Sequence, residues 1–384
     1  MLLVGRACGP RRCALRSVEE ARLRPGLSVP VVSVLDPDGQ LIESEQRAVV
    51  RYVVQDGCGA DVIFAAGTTG EWHRIANRER QRVVQICAEE VAKANAALGP
   101  DAGRPVEAWA GITAPTPRET LENLDFAIAH GAHAAVLAPL SIQGLADPVH
   151  FLARDVSDLL DARRRRIPVV LYDNADIAAN PRVPHIRTRQ VKAMSRLDFV
   201  RGIKVSAPRR VLGNYTQAAA GFRERGEFGI YVGNAMLIFE LFRPRSGWLG
   251  VIAEHWNRHR LRGGLPIGVV AGPANVWPRE WAHAWQVSRA GDAERMDQVR
   301  SVLEAFRTLT RSVGRQRSVA CLKRALRLLG VLESSAVAPG TPALSEADAA
   351  RFDEGFARVR ELAHERIGAP WISTLAGAAA RGAP

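Results

Sequence analysis

The sequence predicts an α/β fold, a (β/α)8 TIM barrel with additional C-terminal helices. Three observations carry that expectation. Eight short runs, most of them rich in Val and Ile, recur along the chain. Helical periodicity fills the stretches between them, and after about residue 290 that periodicity continues without strands. Such alternation builds a parallel sheet, either closed into a barrel or doubly wound. No G-x-G-x-x-G opens a helix after the first run, and a count of eight matches the closed form.

The expected strands are Val31–Leu35, Asp61–Ala66, Val106–Ile112, Ala134–Ala138, Ile167–Tyr172, Phe199–Val205, Phe228–Val232 and Ile267–Ala271. The last has a competing register over Trp248–Ile252. Between them, Glu43–Gln55 repeats apolar residues at Ala48, Val49, Tyr52 and Val53, and Asn77–Lys93 does so at Val83, Val84, Ile86, Cys87 and Val91. Thr116–His130 opens with Thr116 as N-cap, Pro117 at the first helical position and Glu119 three residues after the cap. Asp147–Leu160 is a further helix. Arg243–Arg262 lengthens the connection before the eighth strand; its Trp248, Leu249, Ile252 and Trp256 predict an extra helix packed on the C-terminal helices or a neighbouring subunit. Asp292–Arg311, Val319–Leu329 and Ser345–Ile367 are the C-terminal helices, the last with Phe352, Phe356, Val359 and Leu362 roughly on one face and Ser345 and Asp348 as a capping pair. The expected organisation is an Arg-rich, unstructured tail over 1–28, a barrel over 29–290 with an insertion at about 243–262, and a helical extension over 291–384.

Composition bounds the partners. The chain has 384 residues, 47% of them hydrophobic, enough for a sizeable core. Its net charge is +12, carried by 48 arginines and only four lysines, Lys93, Lys192, Lys204 and Lys323. The arginines are interleaved with acids and no aromatic-basic motif occurs, so nucleic acid is not an expected partner. The tightest run, Arg163–Arg166, reads as a solvated helix end. Apolar stretches stop well short of the roughly 20 residues that span a membrane. The five cysteines form no C-x-x-C pair, so neither a disulfide framework nor a cysteine zinc site is expected, and a reducing, cytoplasmic location is the default. The first 28 residues hold six arginines and too short an apolar start for a secretory signal; a transit peptide, a disordered tail and an early start codon stay open.

Barrel chemistry gathers where strands run into loops at the C-terminal face. Lys204 lies inside an apolar strand of a chain that otherwise uses arginine. Arginine cannot supply an amine that loses its proton and attacks a carbonyl, whereas burial lowers a lysine's pKa toward that state. The bland alternative is a strand-end lysine reaching solvent. Gly67-Thr68-Thr69-Gly70 offers backbone N–H groups and two hydroxyls suited to a small carboxylate, or is an ordinary turn. Tyr172 ends a strand and either packs or relays protons. His255 and His259 stand at i, i+4 spacing that can hold zinc, with no third ligand evident, or lie on a solvated helix face. Trp72 and His73 follow the Thr-Thr loop and either shape a pocket mouth or pack it.

The order of these features on successive strand ends resembles the family of dihydrodipicolinate synthase and N-acetylneuraminate lyase, the pyruvate-dependent class I aldolases. The resemblance covers roughly Val29 to Val331. It rests on Gly67-Thr68-Thr69-Gly70-Glu71, Leu171-Tyr172, Gly202-Ile203-Lys204, Gly233, Ala274-Asn275-Val276 and Leu322-Lys323-Arg324-Ala325-Leu326 before Gly330. It implies that Lys204 is the Schiff-base lysine, Tyr172 the proton-relay phenol and Thr68 part of a hydroxyl relay. Thr69 would bind the keto-acid carboxylate, with Val270 and Gly233 also at the substrate. It further implies a lyase acting on a small-molecule 2-oxo acid by aldol cleavage, aldol addition or dehydration, with no cofactor and no metal, and a homo-oligomer. Synthase members carry an aromatic pair where this chain has Leu140-Ser141, an arginine in the region of Asp173-Asn174-Ala175-Asp176-Ile177, and Thr-Pro where it has Ser33-Val34. Dihydrodipicolinate synthesis itself is therefore not expected; the alternative reading is a non-catalytic keto-acid binder on the same fold.

Overall fold

Eight short parallel strands pair in sequence order: β1 Gly26–Pro30, β2 Val62–Ala65, β3 Glu107–Gly111, β4 Ala134–Leu137, β5 Val169–Asn174, β6 Val200–Ser206, β7 Gly229–Val232 and β8 Gly268–Val270. β8 pairs with both β7 and β1, which closes the barrel and leaves no sheet edge. The computed structural model describes residues 22–98, 105–223, 227–244 and 265–375. The Arg-rich segment up to residue 21, most of the 243–262 insertion and the His255/His259 pair lie outside the described residues.

Two apolar layers hold the fold. The inner one fills the barrel with Val62, Phe64, Trp109, Val136, Val170, Tyr172, Tyr231 and Val270. The outer one packs the opposite strand faces, among them Val29, Ile63, Ala110, Leu171 and Val205, against the helices. Strands buried on both faces read as continuous apolar runs, which is why they stand out in the sequence. Around Tyr231 the strands have no room for a side chain: a Cβ at Gly268 would lie 2.4 Å from its ring, so glycine there lets the ring fill the axis.

Seven expected strands are present with their ends shifted by a residue or two, and the eighth takes the Ile267–Ala271 register rather than Trp248–Ile252. The first is a correction. β1 is Gly26–Pro30, and the expected Val31–Leu35 run is buried chain beyond its end. There side-chain amides replace the ladder: Asn275 Oδ1 accepts from Val32 N (3.1 Å), Gln46 Oε1 accepts from Val34 N (2.9 Å), and Gln46 Nε2 donates to the Val32 carbonyl (3.1 Å). Apolar side chains thus mark burial without marking strand pairing.

The helices follow their caps. Thr116 accepts from Glu119 N at the start of Pro117–Ala129, and Ser345 accepts from Asp348 N at the start of Glu346–Arg366. The Asp147–Leu160 stretch contains a five-residue π segment, Leu152–Val156. In the Arg163–Arg166 run, Arg163 pairs with Asp125 and Arg166 with Asp161 and Asp198. The C-terminal helices Ala293–Ser312, Ser318–Leu328 and Glu346–Arg366 pack on the barrel through an aromatic cluster. Trp277 meets Phe306 (5.8 Å) and Phe356 (5.6 Å), and Phe352 stacks on Phe356 (5.9 Å). Phe352 is fully buried, so Phe352→Ala is expected to destabilise the fold by about 3–5 kcal/mol. Guanidinium denaturation monitored by far-UV circular dichroism measures the change.

Candidate active site

The decisive geometry lies between β5 and β6. Their pairing shifts between Val169 and Val170, so Val169 faces Val200 while Val170 faces Gly202, leaving Arg201 as an extra residue. Val200 belongs to the outer apolar layer, and so do Ile203 and Val205. Strict alternation from Val200 would put Lys204 on that same outer face; the extra residue reverses the phase and turns Lys204 inward. There it pairs directly with Tyr172. The Lys204 Nζ lies over the Tyr172 ring, 3.7 Å from its centroid, with the Phe64 ring at 4.9 Å. Both residues are 5% exposed.

The loop after β2 completes the cluster. Thr68 Oγ1 and Tyr172 Oη share a hydrogen bond of 3.1 Å. Thr68 and Thr69 lie on a single 3-10 turn, Thr68–Gly70, between two non-glycine residues of left-handed backbone, Ala66 (φ 53°) and Glu71 (φ 56°). Such conformations cost on the order of 1–3 kcal/mol each and persist only where surrounding contacts impose them. Thr69 reaches across to the end of β8: a Cβ on Gly272 would come within 3.1 Å of its hydroxyl. Val270 faces the barrel interior in the same inner layer as Tyr172. Gly233, just past β7, hydrogen-bonds to Val205, and a Cβ there would stand 2.1 Å from Ser206 Oγ. Tyr172 therefore contacts both Thr68 and Lys204, while Thr69, Val270 and Gly233 stand around the same end of the barrel.

Two members of the cluster were not singled out from the sequence. Asn174 Nδ2 donates to Tyr172 Oη (3.1 Å), its orientation fixed by Oδ1 accepting from Asp176 N (3.2 Å). Ser206 also hydrogen-bonds the phenol. Each lies two residues beyond a residue that was singled out, so the period-2 alternation of a strand was the available signal. Between Tyr172 and Asn174, Asp173 faces outward and accepts from Ile186 N (2.7 Å) and His185 Nδ1 (2.8 Å), while Ile177 packs against the inner layer. Leu140 is half-buried against the outer layer and its carbonyl accepts from Ala179 N (2.8 Å). Asn275 fastens β8 to β1, its Nδ2 donating to the Pro30 and Gly272 carbonyls at 2.8 Å each. Trp72 is buried against Arg80, whereas His73 is exposed.

Electrostatics follow the packing. Burial pushes the Lys204 ammonium down, and the opposing attraction of Tyr172 leaves it still below the ordinary lysine value. Burial pushes the Tyr172 phenol up, but the Lys204 charge and hydrogen bonds from Thr68, Ser206 and Lys204 outweigh it and hold the phenol below the ordinary tyrosine value. Two cavities lie elsewhere. One of about 440 Å3 borders Glu280, Trp277 and the C-terminal helices. One of about 910 Å3 opens beside Gly26, Asp61 and Ile267, at the strand starts and opposite this cluster. No group of three or more His, Cys, Asp or Glu that could hold a metal occurs among the described residues.

Residues 24–104 match the model of the dihydrodipicolinate synthetase family. An uncharacterised DapA-like lyase of Halobacterium salinarum is 27% identical over 185 residues, 47% of this chain and 53% of its own length, so the alignment spans about half of that relative. The 4-hydroxy-tetrahydrodipicolinate synthase of Methanothermobacter thermautotrophicus is 25% identical over 322 residues, 83% of this chain and 97% of its own. Among solved structures, a sialic acid aldolase catalytic-lysine mutant of Ruminococcus gnavus superposes with a TM-score of 0.71 at 15% identity, covering 92% of this chain and 100% of that one. Dihydrodipicolinate synthase from Bacteroides thetaiotaomicron gives 0.69 at 18%, covering 88% and 99%. The chain has the barrel fold of these lyases and aldolases, and it resembles the dihydrodipicolinate synthase and N-acetylneuraminate lyase family. Among the described residues no helix is long and apolar enough to cross a membrane.

The chain has four tyrosines, and burial drives Tyr52, Tyr215 and Tyr231 above the ordinary value. Tyr172 is thus the first to ionise as pH rises. In Lys204→Met the cation that favours its phenolate is gone, and its titration moves to higher pH. Ultraviolet difference titration at the phenolate band, or NMR of 13C-labelled tyrosine, checks this; an unmoved titration contradicts the contact.

Proposed function

We propose that this protein is a Schiff-base-forming lyase acting on pyruvate or a larger 2-oxo acid, by aldol cleavage, aldol addition or dehydration. The observation that carries the reading is the buried contact of Lys204 with Tyr172, joined by Thr68. In the neutral form that burial favours, the Lys204 amine attacks the ketone carbon of the 2-oxo acid. The carbinolamine loses water to give a protonated imine, which draws electrons from the bond being broken or formed. Tyr172 moves the protons, its oxygen held between Thr68, Asn174 and Ser206. Thr69 and the backbone of its turn hold the carboxylate, with Val270 and Gly233 lining the substrate. No metal or organic cofactor enters the sequence of steps.

The segment after Tyr172, Asp173-Asn174-Ala175-Asp176-Ile177, carries no arginine, which supports a reaction other than dihydrodipicolinate synthesis. Within it Ile177 packs against the inner layer, and the Asp173 carboxylate holds residues 185 and 186.

Borohydride added with pyruvate should leave a stable mass increment on the peptide that contains Lys204. Labelling at Lys93, Lys192 or Lys323, or no labelling with any 2-oxo acid, overturns the mechanism; pyruvate binding without reducible imine points to a non-catalytic binder. Tyr172→Phe should keep the fold and lower turnover by about a hundredfold or more, as expected for lost acid–base catalysis. A folded variant with unchanged turnover would show that the phenol only packs.

A further inference from the structure

The C-terminal helices hold a second buried lysine. Lys323, on the helix Ser318–Leu328, is 0% exposed, and its Nζ donates to Glu71 Oε2 and to the Ala336 carbonyl, both at 2.7 Å. Glu71 is 1% exposed, and its other oxygen, Oε1, accepts from Ala338 N (2.9 Å). One carboxylate oxygen is thus held by the helix Ser318–Leu328 and the other by the segment that follows it. Glu71 is also the left-handed residue that ends the Thr68–Gly70 turn, and its N–H donates to the Thr68 carbonyl (3.0 Å).

Other contacts tie the same two segments together. Ala336 bridges to Leu35, Ser334 Oγ donates to the Leu35 carbonyl (2.8 Å), and Arg74 Nη1 donates to the Gly340 carbonyl (2.5 Å). On the loop's other side Ser33 Oγ donates to the Gly70 carbonyl (2.7 Å). Ala338 packs with Leu35 and Ile75 in a small apolar cluster of its own. A buried ion pair is a poor source of net stability, because both ions lose their water. It is a good source of fixed geometry, since each partner is bound at several atoms in defined directions. The loop it fixes is backbone-strained at both ends and carries the hydroxyl that touches Tyr172.

We propose that Glu71 and Lys323 are positioning residues: through their buried ion pair the C-terminal helical extension holds the Thr68–Thr69 loop in register with Tyr172. The extension is then a working part of the site. The inference rests on the reading of Tyr172 and Lys204 as the reacting pair for its kinetic consequence, but not for its structural one. If the pair is lost, Glu71 relaxes from its left-handed conformation and the Thr68 hydroxyl withdraws from the phenol.

The test is the double variant Glu71→Gln/Lys323→Met, which removes both charges and leaves no ion buried alone. Far-UV circular dichroism establishes that it folds. Tyr172, followed by NMR of 13C-labelled tyrosine, should then titrate at higher pH than in the unaltered chain. With the 2-oxo acid found by imine trapping, KM should rise and kcat fall, together lowering kcat/KM by roughly tenfold or more, the scale of a small misplacement of reacting groups. A double variant with lowered Tm but unchanged Tyr172 titration and unchanged KM and kcat would overturn the proposal and make the pair purely structural. Should the double variant not fold, Lys323→Met alone, which removes the donor to Glu71, is read by the same titration and overturns the proposal if Tyr172 does not move in the folded protein. Absence of imine with every 2-oxo acid would refute the proposed function, while the titration still decides the role of this pair.

Discussion

The extra residue Arg201 in β6 is the constraint on which the site depends. A parallel strand assigns alternate side chains to the barrel interior and to the helices, and β6 begins with Val200 on the helix side. Without a change of phase, the Lys204 amine would be delivered to the apolar layer under the helices. The one-residue shift against β5 sends Gly202, Lys204 and Ser206 inward and sets Lys204 beside Tyr172. The same inward row places Ser206 against the phenol and against Gly233, where only a hydrogen fits.

Around that pair the barrel supplies an environment that neither residue has alone. The inner layer of Phe64, Trp109, Val136, Val170 and Val270 removes water from the amine and the phenol. Desolvation favours the neutral amine, while the charge of the protonated Lys204 and the hydrogen bonds of Thr68 and Ser206 favour the phenolate. The two effects draw the two groups' proton affinities toward each other, which is the condition for passing a proton between them. The closed barrel makes this arrangement stiff, since all eight strands are paired on both sides.

The polar side chains outside this cluster mostly hold backbone. Asn275 and Gln46 take the place of strand partners for residues 30–34. Asp173 anchors residues 185 and 186, and Glu71 with Lys323 joins the Thr68–Thr69 loop to residues 336–338. In each case a loop at the strand ends, which has no ladder of its own, acquires a fixed position from a buried side chain of a distant segment. The elements that look peripheral in chain order, the C-terminal helices above all, are therefore in contact with the site.

By itself the sequence determined the layered barrel, because parallel strands buried on both faces and helices buried on one leave distinct apolar periods. It also marked Thr68, Thr69, Tyr172 and Lys204, through strand-end position and through the rarity of lysine in an arginine-rich chain. Helix starts were legible where a side chain caps its own neighbours, as at Thr116 and Ser345. What depended on pairing between distant segments was not legible. The Val31–Leu35 run has strand composition yet meets side-chain amides, and β1 lies before it because Gly26–Pro30 is the stretch that pairs with β8 and β2. Asn174 and Ser206 join the cluster, and Glu71 meets Lys323 across 252 positions, because the barrel brings together residues that the chain separates. Whether Lys204 faced inward or outward was decided only by the β5–β6 register, since a shift of one residue exchanges the two faces of a strand and changes no residue in the sequence.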